Sequence, residues 1–506
     1  MLATSAKVLH GTGEIPTIRG TSLAASAAYP DVMSVDDAAE RDHPSRRGPL
    51  RFLAEALRAG ERDFSRGPIR PALALLAIPM VLEMSMEAIF AIVDVFWIAH
   101  LGANAIAVVG LTEAMLALVY SIAIGVGMAV TAIVARRIGE QQPERAAVTA
   151  GQAIWLSAIC GLGVAVIGAY GSDRLLEFMG ATQAMITDSG GYTYWMLVGS
   201  ASIFYLFILN AIFRGAGDAA IAMRSLVLAN GINLILDPCL IFGWWLFPEL
   251  GVEGAAIATT IGRSVGVVYQ LVHLTVLRTR IAVTARALAP NIAAMGRLLR
   301  VSAGGVGQFL IATSSWVFML RMVASFGAAT TAGFTVAIRV VEFIFLPAWG
   351  LGNAAATLVG QSLGAGLVAR AREAAWTAAW VNVVGMTLLG VAFLAIPEII
   401  VSIFTADVDV AAFAATTLHW FGIGLPLYAI GMILVQAING AGDTRTPTLL
   451  NLVFFWILQI PLGWTLAYHS SLAVNGVLVA IVVAESLLSA AAVLVFRRGR
   501  WQNHAV

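Results

Sequence analysis

A helix that crosses a membrane needs about 20 mostly apolar residues. From Pro71 to Phe496 apolar runs of that length follow one another with only short polar breaks. About twelve fit, near 71–99, 107–135, 147–170, 187–213, 220–246, 253–277, 297–326, 332–361, 373–402, 411–438, 446–468 and 472–496. The chain before them differs in kind. Ser, Asp, Glu, Arg and Pro dominate around Asp31 to Arg47, and no apolar core of a signal peptide follows the start. Residues 1–66 therefore read as a cytoplasmic, largely disordered extension. Within it, 48–66 sets Leu50, Phe52, Leu53, Ala56 and Leu57 against Arg51, Glu55 and Arg58, the pattern of a short helix lying on the membrane surface.

Composition makes lipid the solvent. Of 506 residues 59% are hydrophobic and 12% charged, with a mean hydropathy of +0.86, far from the balance of a soluble domain. The formal net charge is +1 and the arginines are dispersed, which removes nucleic acid as a partner. Cys160 and Cys239 both lie in apolar runs, so neither a disulfide framework nor a thiolate metal site is indicated.

The arginines set the orientation, because cytoplasmic loops carry the positive excess. Arg66 and Arg70 precede the first span; Arg136, Arg137 and Arg145 follow the second; Arg214 and Arg224 flank the loop after the fourth. Arg278, Arg280, Arg286, Arg297 and Arg300 fill the stretch after the sixth, Arg370 and Arg372 follow the eighth, Arg445 the tenth, and Arg497, Arg498 and Arg500 the twelfth. The alternate loops carry mainly Asp173, Glu249, Asp407 and Asp409. Both termini are expected in the cytoplasm of a bacterial inner-membrane protein, which requires an even number of spans.

The second half of the chain restates the first at an offset near 225 residues. Phe213-Arg-Gly-Ala-Gly-Asp218 matches Ile438-Asn-Gly-Ala-Gly-Asp443, Gly125-Val-Gly127 matches Gly350-Leu-Gly352, and Gly102 and Gly139 match Gly327 and Gly364. The offset drifts by two or three elsewhere, as where Gly254 meets Gly476. Six spans per half is an even number, so both halves enter from the same side and the repeat is parallel, with a cleft between two lobes. The expected fold is all-α: lobes at 67–278 and 297–496, a cytoplasmic linker at 279–296 and a tail at 497–506. Two lobes rocking about a shared cleft supply alternating access.

A carboxylate at the bilayer centre costs roughly 2.5 to 3.5 kcal/mol, so each one inside a span should face a cavity. The first half holds Glu83, Glu87 and Asp94 in span 1, Glu113 in span 2 and Asp237 in span 5. The second holds chiefly Glu342 and Glu485, and the repeat partners of Asp94 and Asp237 are the apolar Met319 and Ile460. Ion chemistry is therefore expected in the first lobe. Spacings of four and seven put Glu83, Glu87 and Asp94 on one helical stripe, and Asn233 and Asp237, four apart, aim an amide and a carboxylate at one spot. Two carboxylates in a low-dielectric site cannot both stay charged without a large penalty, so a proton or a cation must join them. In span 8, Arg339 and Glu342 are three apart and are expected to pair within the helix.

Pro79, Pro238, Pro347 and Pro461 lie inside spans and allow bends. Gly360-Gln-Ser-Leu-Gly364 fits the G-x-S-x-G pattern of serine hydrolases, with Ser362 as nucleophile. The context fails, since that elbow needs a strand before it and this one closes an apolar helix. Its repeat partner, Ala135-Arg-Arg-Ile-Gly139, has no serine. No enzyme activity is expected, and the histidines are too scattered for a structural metal.

Over Pro71 to Phe496 the residues resemble the multidrug and toxic compound extrusion (MATE) family, in its bacterial branch named for DNA-damage-inducible protein F. The likeness is carried by Ile92-Val-Asp-Val-Phe-Trp-Ile98 with Leu101-Gly102, by Phe213-Arg-Gly-Ala-Gly-Asp218 and Asn439-Gly-Ala-Gly-Asp-Thr444, by Asn233-Leu-Ile-Leu-Asp-Pro238 and by Gly251-Val-Glu-Gly-Ala-Ala-Ile-Ala-Thr259. The resemblance implies export of amphipathic, often cationic organic molecules against inward flow of protons or sodium, with no other cofactor. It also implies a first-lobe cation site, which falls on Asp94, Asn233, Asp237 and Thr259; Glu83, Glu87 and Glu113 are candidate accessory acids by their place inside the spans. The expected partners are small organic substrates and the bilayer, and the expected unit is a monomer. A flippase for lipid-linked precursors would share the duplicated bundle but calls for a cationic cleft to take pyrophosphate, whereas these spans show mainly acids. A passive channel needs no such architecture.

Overall fold

The structure is a computed structural model that describes residues 48–58, 60, 64–277 and 280–504. Of the extension read at 1–66, residues 1–47, 59 and 61–63 lie outside the described residues. Among the described residues all regular structure is helical. A short helix α1, Pro49–Ala56, precedes the bundle. The first lobe comprises α2 (Ile69–Ala99), α3 (Ala103–Gly139), α4 (Pro143–Phe178), α5 (Gln183–Val198), α6 (Ser200–Ala216), α7 (Ala219–Phe242) and α8 (Val252–Thr275). A one-turn helix α9, Ala285–Leu288, lies between the lobes in sequence. The second comprises α10 (Ile292–Ala324), α11 (Ala328–Gly364), α12 (Val368–Ala395), α13 (Pro397–Ser402), α14 (Val408–Gly440), α15 (Arg445–Asn451), α16 (Ile460–His469) and α17 (Val474–Arg498).

Eleven of these elements are long and apolar enough to span, counting Arg445–His469 as one, and α5 with α6 makes a twelfth that bends by 41° at Gly199. Polar caps fix several starts. The Asp407 carboxylate accepts from Asp409 N and Val410 N at 3.0 Å each, and Asn291 accepts from Ala294 N at 2.9 Å. Two irregularities have no signal in hydropathy: the bend at Gly199, and a π-helical stretch at Leu452–Gln459 inside the eleventh span. Pro461, read as a mid-span break, starts α16 directly after that stretch.

The repeat is visible in contacts. A Cβ placed on Gly125 of α3 would strike Gly305 and Val306 of α10, and one on Gly350 of α11 would strike Met80 and Val81 of α2. Gly125 and Gly350 are 225 apart, and so are Met80 and Gly305. The two crossings are thus one contact repeated about a pseudo-twofold axis. At the arginine-bearing end Gly139 and Gly364 meet each other, backbone against backbone, where no side chain fits. The hydrolase-like pattern is part of this seam: Gly360 packs on Ala135 and Gly440, and Ser362 is fully buried. The hairpins after α6 and α14 both turn through a left-handed glycine, Gly217 at φ 89° and Gly442 at φ 93°, which explains the repeated Gly-Ala-Gly-Asp.

The same end is tied across the lobes by hydrogen bonds. Thr357 Oγ1 donates to Arg214 O at 3.2 Å, and Gln361 Nε2 to Gly215 O at 3.0 Å. The segment ahead of α2 joins both sides. Phe64, 4% exposed, packs over Gly217, and Arg370 of α12 donates to the carbonyls of Phe64, Arg66 and Gly67 at 2.6–3.1 Å. Arg224 of α7 donates to Leu57 O at 2.6 Å. The stretch between lobes is fastened to α4: Gln152 Nε2 donates to Ala289 O at 3.0 Å, Gln152 Oε1 accepts from Asn291 N at 3.1 Å, and Trp155 Nε1 donates to Leu288 O at 2.9 Å.

Candidate functional site

The Asn233–Asp237 pair and Thr259 meet in the core of the first lobe. Asn233 and Asp237 sit one turn apart on α7, and Asn233 Nδ2 donates to Asp237 Oδ1 at 3.1 Å and to Thr259 Oγ1 of α8 at 3.0 Å. Asp237 is fully buried, Asn233 2% and Thr259 6% exposed. The neighbouring Thr260 turns back to its own helix, donating to Ala256 O at 2.9 Å. Asp94, on the part of α2 that packs along α7, lies within electrostatic reach of Asp237, and Glu113 of α3 lies within reach of Asp94.

Three acceptors at this site are left over. Asp237 Oδ2, Asn233 Oδ1 and Asp94 Oδ1 are all shut away from solvent without a hydrogen-bond partner. A buried oxygen that accepts nothing is costly, and unpartnered carboxylate and amide oxygens on two helices call for a positive partner. A proton on a carboxyl or a small hard cation held by oxygen both answer that chemistry.

The acidic stripe of α2 divides. Glu83 and Glu87 line a cavity of about 170 Å³ between the lobes, whereas Asp94 belongs with α7. Glu83 is 1% exposed and engaged: Oε1 accepts from Asn210 Nδ2 at 3.0 Å and pairs with Arg214 Nη1 at 3.2 Å. Gln270 Nε2 in turn donates to Asn210 Oδ1. Arg214, counted by sequence among the loop arginines, is thereby drawn into the cavity wall. Its position one turn from Asn210 on α6 aims both at the same carboxylate of α2.

Arg263 of α8 stands inside a span and lines the same cavity. Its Nη2 donates to the Tyr120 hydroxyl of α3 at 2.9 Å, and it lies within electrostatic reach of Glu87 and Asp94. An arginine well inside a span was itself a legible signal, since intramembrane cations are as costly as acids. The cleft therefore carries arginines as well as acids, which the reading of mainly acidic spans missed.

The expected pair on α11 does not close. Arg339 and Glu342 line the same second-lobe cavity, with no ion pair between them within 4.0 Å among the described residues. Both side chains are exposed to the cavity, and Arg339 also faces Glu113 across the cleft, so water and two acids compete for one guanidinium. The two cavities share Leu346, Trp349 and Gln436 as a common wall.

Comparison with known proteins agrees with this architecture. The MatE family profile matches residues 79–239 and 306–465, once in each half. The probable multidrug resistance protein NorM of Thermotoga maritima is 26% identical over 440 residues, 87% of this chain and 94% of that protein. The FAD transporter of Shewanella oneidensis is 26% identical over 424 residues, 84% and 93% of the two chains. A solved structure described as the outward-facing conformation of a multidrug resistance MATE family transporter of the MOP superfamily superposes with a TM-score of 0.81 at 25% identity, covering 86% of this chain and 96% of that one. With its duplicated twelve-span bundle and a family match in each lobe, the chain is a membrane transporter rather than an enzyme, and it belongs to the MatE family.

Proposed function

We propose that the protein is a secondary active antiporter that exports amphipathic organic cations in exchange for protons or sodium. One observation carries the reading: Asp94, Asn233 and Asp237 present orphaned oxygens in a buried site that has no acidic counterpart in the second half. A site so arranged is satisfied only when positively occupied, and occupancy changes the charge beside α2, which also walls the inter-lobe cavity through Glu83 and Glu87. Ion and substrate thus compete through one helix, and binding of the two is mutually exclusive. With the arginine-bearing ends cytoplasmic, the seam at Gly139 and Gly364 closes the cleft toward the cytoplasm. The working unit is a monomer in a bacterial inner membrane, its lobes at 67–278 and 297–496 rocking about the linker at 279–296.

The test is efflux of a cationic dye from proteoliposomes under imposed proton or sodium gradients. Asp94→Asn and Asp237→Asn should each abolish gradient-driven export. Export by both variants at the unsubstituted rate refutes the first-lobe site, and non-saturating flux that ignores the gradient refutes antiport altogether.

A further inference from the structure

The short helix α1, Pro49–Ala56, lies outside the twelve spans, and its two sides differ. One side belongs to the bundle. Ala56 is buried and Phe52 half-buried, α1 packs on α2, and just past its end Arg224 Nη2 donates to Leu57 O at 2.6 Å. The other side is bare. Leu50 is 81% and Leu53 40% exposed; three residues apart, they share a face, and Arg51, Ala54 and Arg58 are exposed along the stripe beside them.

The exposed charges there have one sign. Arg51, Arg58 and, at the start of α2, Arg70 are exposed, whereas the ion pairs between described residues lie elsewhere, at Arg136, Arg137 and Arg214. Glu55, the sole acid of α1, is half-buried and already engaged. A stable protein partner calls for about 800 Å² of buried surface on each side, more than one face of two helical turns offers. A lipid surface needs far less. The leucines enter the boundary between headgroups and acyl chains, and the guanidinium groups take the phosphates. Each arginine beside an anionic leaflet strengthens such a contact by about fivefold.

The lipid-facing and the docked sides are different sides of one helix, so both can be satisfied together. A surface that binds only the docked arrangement shifts the equilibrium toward it. Docking here concerns both lobes. Arg224 belongs to the first, and Arg370 of the second donates to Phe64 O at 2.8 Å and to Gly67 O at 2.6 Å, where Phe64 packs on Gly217 beside the inter-lobe seam.

We propose that α1, with Arg51, Arg58 and Arg70, binds the anionic phospholipid headgroups of the cytoplasmic leaflet, and that this contact reinforces the docking of the chain on both lobes. The charge of the leaflet then sets how firmly the seam is held, independently of what fills the cleft. The cytoplasmic placement rests on the orientation proposed above; recognition of anionic lipid does not.

The experiment attaches an environment-sensitive nitrobenzoxadiazole dye to Ala54→Cys of the full chain, in a background with Cys160 and Cys239 replaced. Nanodiscs of phosphatidylcholine are compared with discs of phosphatidylcholine and phosphatidylglycerol in equal parts. In the anionic discs the emission should shift to the blue and be quenched by brominated lipid, and the shift should fade at high salt. Arg51→Gln with Arg58→Gln should raise severalfold the phosphatidylglycerol content needed for half the change. Amide exchange over residues 49–58, read by mass spectrometry, should slow severalfold in anionic discs. Lipid composition and salt are themselves the variables, so the test stands even if the double variant does not fold. A shift of equal size in both kinds of disc, or one indifferent to salt, overturns the recognition of anionic lipid, and exchange that lipid charge does not slow overturns the reinforcement. Failure of the orientation shows separately, as an impermeant maleimide that reaches Ala54→Cys from outside the cell and not in inside-out vesicles.

Discussion

Arg214 and Glu83 hold opposite charges 3.2 Å apart in a wall where Glu83 is almost fully enclosed. Removing one partner strands the other, which typically costs about 3–5 kcal/mol, whereas neutralising both together costs far less. Arg214→Ala is therefore expected to lower the thermal midpoint of the purified protein sharply, and Glu83→Gln with Arg214→Gln to recover most of the loss. Equal destabilisation by the single and the double variant would show that the pair does not act as a unit. The sequence made Asn233 and Asp237 readable because their spacing lies within one helix, and Thr259 came through the family resemblance. The Glu83–Arg214 pair was not readable. Its members are 131 residues apart, and the apolar run stops just where Arg214 stands, so local pattern assigns it to a loop. The Arg339–Glu342 pair failed for the converse reason: helical spacing permits a contact that a shared, wet cavity does not enforce.

Among the elements, helix existence followed from hydropathy with little loss, because a membrane demands complete internal hydrogen bonding of every crossing segment. Distortions did not. The bend at Gly199 and the π stretch answer to neighbours, Thr260 in one case and Gln308 and Ser315 in the other, and no periodicity records them. The glycine crossings were legible as repeat anchors, but their meaning as lobe contacts was not. Gly125→Leu and Gly350→Leu should be similarly harmful, because each forces apart the same symmetry-related crossing at an overpacking cost of about 1–3 kcal/mol. Gly385→Leu on α12, where a Cβ would meet nothing, serves as the neutral control. Thermal unfolding followed by tryptophan fluorescence separates these outcomes, and a neutral Gly125→Leu would rule out the crossing as a tight seam.

For the whole molecule, the two lobes meet tightly at one end, with two cavities that share a wall at Leu346, Trp349 and Gln436. Asn353 of α11 lines the inter-lobe cavity opposite the first-lobe acids. Asn353→Cys, in a background with Cys160 and Cys239 replaced, should react with a membrane-impermeant maleimide from outside the cell and stay protected in inside-out vesicles. Equal labelling from both sides would contradict a seam closed toward the cytoplasm. Phe64 packs beside that seam, and Arg224 from one lobe holds Leu57 while Arg370 from the other holds Phe64 and Gly67. On the proposed cycle, opening the cleft inward pulls Phe64 off Gly217 and breaks the hydrogen bonds of Arg370 to these carbonyls. Arg370→Ala should therefore shorten the dwell in the sealed state, seen as faster maleimide labelling of Asn353→Cys in inside-out vesicles. The tempo of the cycle is in this way written into a stretch of chain outside the bundle, where it can be retuned without altering what the transporter recognises.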